Sequence, residues 1–255
     1  MPTTVFGKNN PNRIFFFPIH LCLQIDYLTQ INNKMKKLKP IQKISLVMAI
    51  LFCTVAPTMG YIKIGLPPVI IVGGSAIVGF LFWYFTYLKN PTDPKIILPL
   101  FVLTVAALQI HIVEEYQTGF GPAMSRLFNI PWTEKSFLMV FALVGPTIYT
   151  LTTLGLYYKI PIAGFIAWFI FIGPGVAEFT HFIFPVLQPH IDPANVNTIT
   201  QHINGTEVAN MPNYYYKTTG NYYFPGMWTA VLPMIPGIYA IYRLTKEYRL
   251  ARAKN

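Results

Sequence analysis

Acidic and imidazole side chains gather at two places in a chain that carries little charge elsewhere. His111, Glu114 and Glu115 form the pattern His-x-x-Glu-Glu, and Glu178 and His181 form the pattern Glu-x-x-His. Each residue of a helix advances by about 100°, so Glu114 lies about 60° to one side of His111 and Glu115 about 40° to the other. Glu178 and His181 share a helix face in the same way. Both patterns therefore present carboxylate and imidazole groups together, as metal sites require.

These five residues predict a bound divalent metal, because buried like charges do not stay ionised without compensation. Glu-x-x-His is a ligand spacing of di-iron helix bundles. A single zinc is the alternative, with two histidines and one glutamate as ligands and a further glutamate as general base. We predict His111, Glu115, Glu178 and His181 as metal ligands and iron or zinc as the metal. Glu114 and Glu115 are the predicted catalytic residues.

The composition excludes most classes of soluble protein. Only 11% of the 255 residues are charged and 53% are hydrophobic, whereas soluble domains carry about 25% charged residues. Disordered chains, coiled coils and collagen-like fibres do not have this composition. The net charge of +10 does not indicate nucleic-acid binding, because the basic residues lie at the chain ends and in short loops. Cys22 and Cys53 have the spacing of neither a disulfide framework nor a zinc finger.

Six long apolar stretches predict an all-α, polytopic transmembrane helix bundle. A helix crosses the bilayer with about 20 apolar residues, and in lipid only a helix satisfies the backbone groups of such a run. The predicted spans are 44–62, 66–88, 96–113, 137–158, 160–187 and 224–242.

The N-terminal region allows two interpretations. Residues 35–60 are either the first transmembrane helix, preceded by a leader, or a signal peptide whose cleavage leaves five spans. Met35 opens a basic stretch that resembles a second, natural start, so translation begins at Met1 or Met35. The predicted layout is a disordered leader at 1–40, a transmembrane domain at 41–245 with an outer loop at 188–223, and a basic cytoplasmic tail at 246–255.

The distribution of basic residues predicts the orientation. Fifteen of the 19 Lys and Arg residues fall on one side of the six-span arrangement, and the positive-inside rule makes that side cytoplasmic, together with both termini. His111 lies 16 residues beyond Lys95, and Glu178 lies 19 residues beyond Lys159. At about 1.5 Å per residue, both motifs reach nearly the same outer level of the membrane. The last span starts at that level with a Pro-Gly pair at 225–226, which we interpret as an ordinary helix start.

The order of these motifs resembles the HXXEE-domain family of small multi-pass membrane proteins. The resemblance covers roughly residues 94–242. It depends on His-Ile-Val-Glu-Glu at 111–115, on a later span that carries His181, and on Phe-Pro-Gly-Met-Trp-Thr-Ala at 224–230. It implies a membrane-helical fold and an enzymatic role for these polar residues. The family has no assigned activity, so the resemblance implies no substrate.

The sequence favours an integral membrane protein with a metal-dependent site that faces outward and acts on a lipid or another apolar substrate. The reaction is oxidoreduction if the site holds two metals and hydrolysis if it holds a lone zinc. The alternatives are a proton-coupled transporter and a non-catalytic scaffold or accessory protein. In the scaffold, Glu114 and Glu115 would end a helix in water and His111 would be a core residue. The expected partners are membrane lipids and a lipid-like substrate, with no nucleic acid.

Overall fold

The computed structural model describes residues 38–187, 200–203, 206–209 and 220–253. By their contacts, residues Ile41–Asn255 form one unit, and of the other unit, Met1–Pro40, only residues 38–40 are described. The second start at Met35 and most of the predicted outer loop at 188–223 therefore lie outside the described residues.

Helices make up most of the described chain, which confirms the all-α fold class. They are α1 (Pro40–Ile64), α2 (Gly74–Thr86), α3 (Pro94–Thr118), α4 (Phe120–Phe128), α5 (Glu134–Leu138), α6 (Gly145–Tyr157), α7 (Pro161–Val176) and α8 (Val231–Ala253). The π-helical segments Val69–Gly73 and Met139–Val144 lead into α2 and α6, and the 3₁₀ segments Ala177–Phe182 and Phe184–Val186 follow α7. Between α7 and α8, strands β1 (Thr200–Ile203) and β2 (Thr206–Ala209) form a short antiparallel hairpin.

Five helical segments of the described chain are long and apolar enough to cross a membrane. They are Pro40–Ile64, Val69–Thr86, Pro94–Thr118, Glu134–Tyr157 and Pro161–Val186, and they coincide with the first five predicted spans. Their outward surfaces are also apolar, since Leu51, Leu103 and Leu151 are 54–64% exposed. Soluble proteins rarely expose such extensive apolar surface. The bundle therefore fits an integral membrane protein.

The last helix departs from the prediction. We predicted a span at 224–242, but residues 225–230 form turns and α8 begins only at Val231. Its second half carries Arg243, Lys246, Glu247, Arg249 and Arg252. Because of these charges, α8 is not among the described helices that meet the length and hydropathy of a membrane span. The apolar pattern was misleading because Phe224 and Met227 are buried inside the protein instead of facing lipid.

Helix α7 is the centre of the bundle. It packs against α2, α3, α6 and α8, while α8 also packs against α3. The Trp83 indole of α2 donates a hydrogen bond of 2.7 Å to the carbonyl of Pro161, the first residue of α7. At the crossing of α7 and α8, a Cβ added to Gly175 would lie 2.8 Å from the Gly237 Cα, so only glycine fits there. These contacts fix α3, α7 and the start of α8 against one another.

Candidate metal centre

Helix α3 carries His111 and Glu115 into its last turns. The helix begins directly after its N-cap residue Asp93, whose carboxylate accepts a hydrogen bond of 3.0 Å from the Lys95 backbone N–H. It ends at Gly119, with a φ of 79°, a left-handed conformation that glycine adopts without strain. His111 and Glu115 lie one turn apart and are both buried. The last turn of the helix carries no basic residue, and a helix carboxyl end has a partial negative charge, so the glutamate there favours a nearby cation.

Glu178 and His181 lie on a 3₁₀ turn. We predicted one continuous span at 160–187, but α7 ends at Val176 and a 3₁₀ segment follows it. Pro174 weakens the α-helix at this point, because it removes one backbone hydrogen bond. With about three residues per turn in a 3₁₀ helix, positions i and i+3 lie side by side. Glu178 and His181 therefore still share a face, although the helix type differs from the prediction.

The four predicted ligands converge. The Nε2 atom of His111 lies 3.5 Å from Glu115 Oε1 and 3.2 Å from Glu178 Oε2. The Nε2 atom of His181 lies 3.2 Å from Glu115 Oε1 and 3.1 Å from Glu178 Oε2. One ligand atom from each residue lies within 4.8 Å of all the others. Donor atoms of a tetrahedral site with bonds of about 2.0–2.2 Å are about 3.3–3.6 Å apart, so this group can hold a metal ion.

The four side chains differ in exposure. His111 and His181 are 0% and 2% exposed, and Glu115 is 5% exposed, whereas Glu178 is 18% exposed. The two histidines and Glu115 are therefore enclosed by protein. Glu178 is the most solvent-exposed of the four.

A backbone carbonyl holds His181. The His181 Nδ1 atom lies 2.9 Å from the carbonyl oxygen of Pro225. A carbonyl oxygen only accepts hydrogen bonds, so Nδ1 carries a proton and donates it. In the neutral ring, Nε2 then has a lone pair, and this lone pair faces Glu115 and Glu178.

The side chain of Thr229 contacts His111 on one side and Glu114 on the other. The His111 Nδ1 atom lies 3.0 Å from Thr229 Oγ1. The Thr229 hydroxyl donates to Glu114 Oε2 at 2.6 Å, and the Thr229 backbone N–H donates to the same oxygen at 2.8 Å. The His111 Nε2 atom is buried and makes no hydrogen bond within the described part of the chain. Glu114, predicted as catalytic, therefore faces Thr229 and lies outside the group of four.

The convergence of these donors requires positive charge. Two carboxylate oxygens face two imidazole nitrogens, and leaving buried charges uncompensated costs several kcal/mol per ion. A metal dication between them balances both carboxylates while both imidazoles stay neutral. Two protons, one on each Nε2 atom, also balance the charge. The geometry thus allows a metal-bound state and a doubly protonated state.

The turn before α8 closes the group, a role that our interpretation of the sequence missed. We interpreted the Pro-Gly pair as an ordinary helix start, but α8 starts only after it. A Cβ added to Gly226 would lie 2.7 Å from Glu115 Cγ, 2.8 Å from His181 Cε1 and 3.0 Å from His111 Cε1. Gly226 also has a φ of 85°, which favours glycine. The only signal in the sequence was that this turn starts at the same membrane level as the two motifs.

Aromatic side chains surround the histidines. Phe120 in α4 stacks on His181, with ring centroids 5.1 Å apart. Phe184 and Phe224 lie 5.7 Å and 6.3 Å from the same ring. All three belong to a buried apolar cluster that also contains Leu108, Ile112, Ala123, Met124, Leu127, Ile130 and Phe137. Phe120 was not predicted, because no spacing connects it with either motif. The apolar surroundings of the histidines strengthen the electrostatic interactions within the group of four.

Comparisons with known proteins give no match. No protein-family model, no curated protein and no solved structure matches the chain. The resemblance to the HXXEE-domain family therefore stays a prediction from three motif segments.

Replacing Gly226 by Ala tests whether this turn shapes the centre. The added Cβ would push against three of the four candidate ligands, and we expect affinity for Zn²⁺ to fall about 10–100-fold, as when other outer contacts of a metal site are lost. A competition titration against a chromogenic chelator measures this affinity. Gly220→Ala is the matched control, because Gly220 also has a positive φ of 73° but a Cβ there meets nothing within 4 Å. Equal losses in the two variants would contradict the assignment.

Proposed function

We propose that the protein is a membrane-embedded, zinc-dependent hydrolase that acts on a lipid or another apolar substrate. The observation that carries the proposal is the convergence of two imidazole and two carboxylate donors, with both histidine Nδ1 atoms already engaged elsewhere. This arrangement aims both Nε2 lone pairs at one point, as the outer hydrogen bonds of metal-binding histidines do in other proteins.

The number of donors favours one metal over two. A di-iron bundle takes a Glu-x-x-His pair from each of two helices and a further glutamate from each of two others. Here the group contains His111, Glu115, Glu178 and His181, while Glu114 is bonded to Thr229. We therefore favour a lone zinc over an iron pair, and with it hydrolysis over oxidoreduction.

The burial of the four residues suggests which of them bind the ion and which acts as general base. His111, His181 and Glu115 are the most enclosed and would hold the ion. A zinc with three protein ligands keeps one position for water and lowers the pKa of that water to about 7. Glu178 is the most exposed of the four and lies within 3.2 Å of both histidine Nε2 atoms. In our proposal Glu178 would leave the binding of the ion to the other three residues and would act as general base, accepting a proton from the water molecule that attacks the substrate.

The surface beside Glu178 favours an apolar substrate. Phe179 is 45% exposed and Ile183 is 40% exposed, and both lie at the end of a helical segment that is apolar enough to cross a membrane. A molecule that approaches Glu178 along this segment therefore crosses apolar side chains. A lipid or a similarly apolar compound fits such an approach better than a soluble ion or sugar.

Proton-coupled transport is the second candidate, because two protons also balance the charges of the group. Such transport needs further proton carriers across the membrane. Residues 96–110 of α3 and 161–177 of α7 and the turn after it contain no ionisable side chain. These two segments therefore offer no proton path towards the inner side, and we rank transport below hydrolysis.

Metal content is the first test of the proposal. The protein purified in detergent should bind one zinc ion per chain, and both His181→Ala and Glu115→Gln should lose it, because each removes one of the enclosed ligands. Chelation should also lower the unfolding temperature, since zinc at 100 times its dissociation constant stabilises a protein by about 2.7 kcal/mol. Glu134→Gln is the control, because Glu134 is an exposed carboxylate in the first turn of α5 and does not belong to the group of four. A wild-type protein with no bound metal and no response to chelator would reject the zinc site.

Turnover in H₂¹⁸O separates hydrolysis from oxidation. The zinc-loaded protein in vesicles of mixed membrane lipids should release a product that contains one ¹⁸O atom from water, detected by mass spectrometry. Glu178→Gln should keep its zinc and lose about 10²–10⁴-fold in rate, because it cannot accept the proton. Oxygen in the product that comes from O₂, or an unchanged rate in Glu178→Gln, would contradict this mechanism.

A further inference from the structure

We propose that Glu114 and Thr229 are positioning residues that fix the proton of His111 on Nδ1 and so keep Nε2 free for a ligand. The inference rests on the proposed function, because a free Nε2 atom is needed only if it binds a metal. The contacts that carry it are the 3.0 Å contact between His111 Nδ1 and Thr229 Oγ1 and the 2.6 Å hydrogen bond from that hydroxyl to Glu114.

The direction of the first contact depends on Glu114. A threonine hydroxyl both donates and accepts hydrogen bonds, so Thr229 alone is compatible with either tautomer of His111. A carboxylate only accepts, and Glu114 Oε2 takes the hydroxyl hydrogen of Thr229. The Thr229 oxygen is then left as an acceptor, and Nδ1 of His111 must donate to it. If the hydroxyl turned around, it would donate to Nδ1, the proton would move to Nε2, and Nε2 could no longer bind a metal.

The two histidines differ in the kind of acceptor that their Nδ1 atoms contact. His181 donates to the Pro225 carbonyl, an acceptor whose direction cannot change. His111 instead contacts a hydroxyl, which needs a second acceptor to set its direction. This difference explains why the motif on α3 contains two adjacent glutamates, with Glu115 in the group of four and Glu114 turned towards α8.

Other contacts hold Glu114 in place. The Thr229 backbone N–H donates to its Oε2 atom at 2.8 Å, and the Tyr223 hydroxyl lies 3.5 Å from its Oε1 atom. Burial raises the pKa of the Tyr223 phenol, so it remains a donor at neutral pH. Both oxygens of Glu114 thus face donors that precede α8. A general base must be able to reach the substrate, and Glu114 is not placed to do so.

The inference predicts a specific pattern among four variants. Thr229→Val removes the acceptor, and Glu114→Ala frees the hydroxyl to rotate, so both should disturb the Nδ1–H group of His111. Thr229→Ser keeps the hydroxyl, and Glu114→Gln keeps an amide oxygen that can accept from Thr229, so both should preserve it. A catalytic Glu114 predicts instead that Glu114→Gln loses activity, and a ligating Glu114 predicts that it loses zinc, since the amide can neither accept a proton nor bind zinc well.

The experiment is long-range ¹H–¹⁵N correlation NMR of ¹⁵N-histidine-labelled full-length protein in lipid nanodiscs, with and without Zn²⁺. The chain has five histidines, and the His111 signal is assigned by its absence from His111→Ala. Wild type, Thr229→Ser and Glu114→Gln should show the proton of His111 on Nδ1. Thr229→Val and Glu114→Ala should both lose the hydrogen-bonded Nδ1–H signal, which is the readout because Nε2 also carries a proton in the doubly protonated state. Thr147→Val is the control and should match the wild type, because the Thr147 hydroxyl donates to the Leu143 carbonyl one turn earlier in the chain.

Zinc affinity is the second readout, with losses of about 10–100-fold expected in Thr229→Val and Glu114→Ala and wild-type values in the two conservative variants. A His111 spectrum that is unchanged in Thr229→Val and Glu114→Ala overturns the inference, whether or not zinc binds. Absence of zinc binding in the wild type rejects the proposed function instead, while the spectra without zinc still decide the role of Glu114 and Thr229.

Discussion

Two imidazole nitrogens and two carboxylate oxygens lie 3.1–3.5 Å apart in apolar surroundings, and the rest of the centre depends on the positive charge that must lie between them. Both Nδ1 atoms are engaged by other groups, one by a carbonyl and one by a hydroxyl. The two Nε2 atoms therefore face the carboxylates with their lone pairs unless protons or a metal intervene. The outer hydrogen bonds thus decide what the inner atoms can bind.

Three separate features of the backbone bring these atoms together. The end of α3 at Gly119 keeps Glu115 within the helix, one turn after His111. The change from α to 3₁₀ geometry after Pro174 places Glu178 and His181 on one side. The turn around Gly226 brings backbone against both histidines. Each feature lies on a different part of the chain, and the contacts of α7 and α8 with α3 hold the three parts in register.

The sequence was sufficient to predict five of the helical segments that are apolar enough to span a membrane and the four residues that converge in the centre. One-turn spacing places His111 and Glu115 on one face of any straight helix, and counting residues from Lys95 and Lys159 placed both motifs at one level. The 3₁₀ turn was not predictable, because proline is tolerated within membrane helices. The contact of Thr229 with Glu114 joins residues 115 positions apart, and no local pattern reports it. The late start of α8 could not be predicted, because buried residues such as Phe224 and Met227 are as hydrophobic as residues that face lipid.

X-ray absorption at the zinc edge tests the central claim most directly, because it reports the atoms around the metal. For the zinc-loaded protein, the account predicts a single zinc with nitrogen and oxygen donors at about 2.0–2.2 Å, including two imidazoles, and no protein-bound zinc in His181→Ala. Sulfur donors, a second metal within about 4 Å, or a spectrum unaffected by His181→Ala would contradict it.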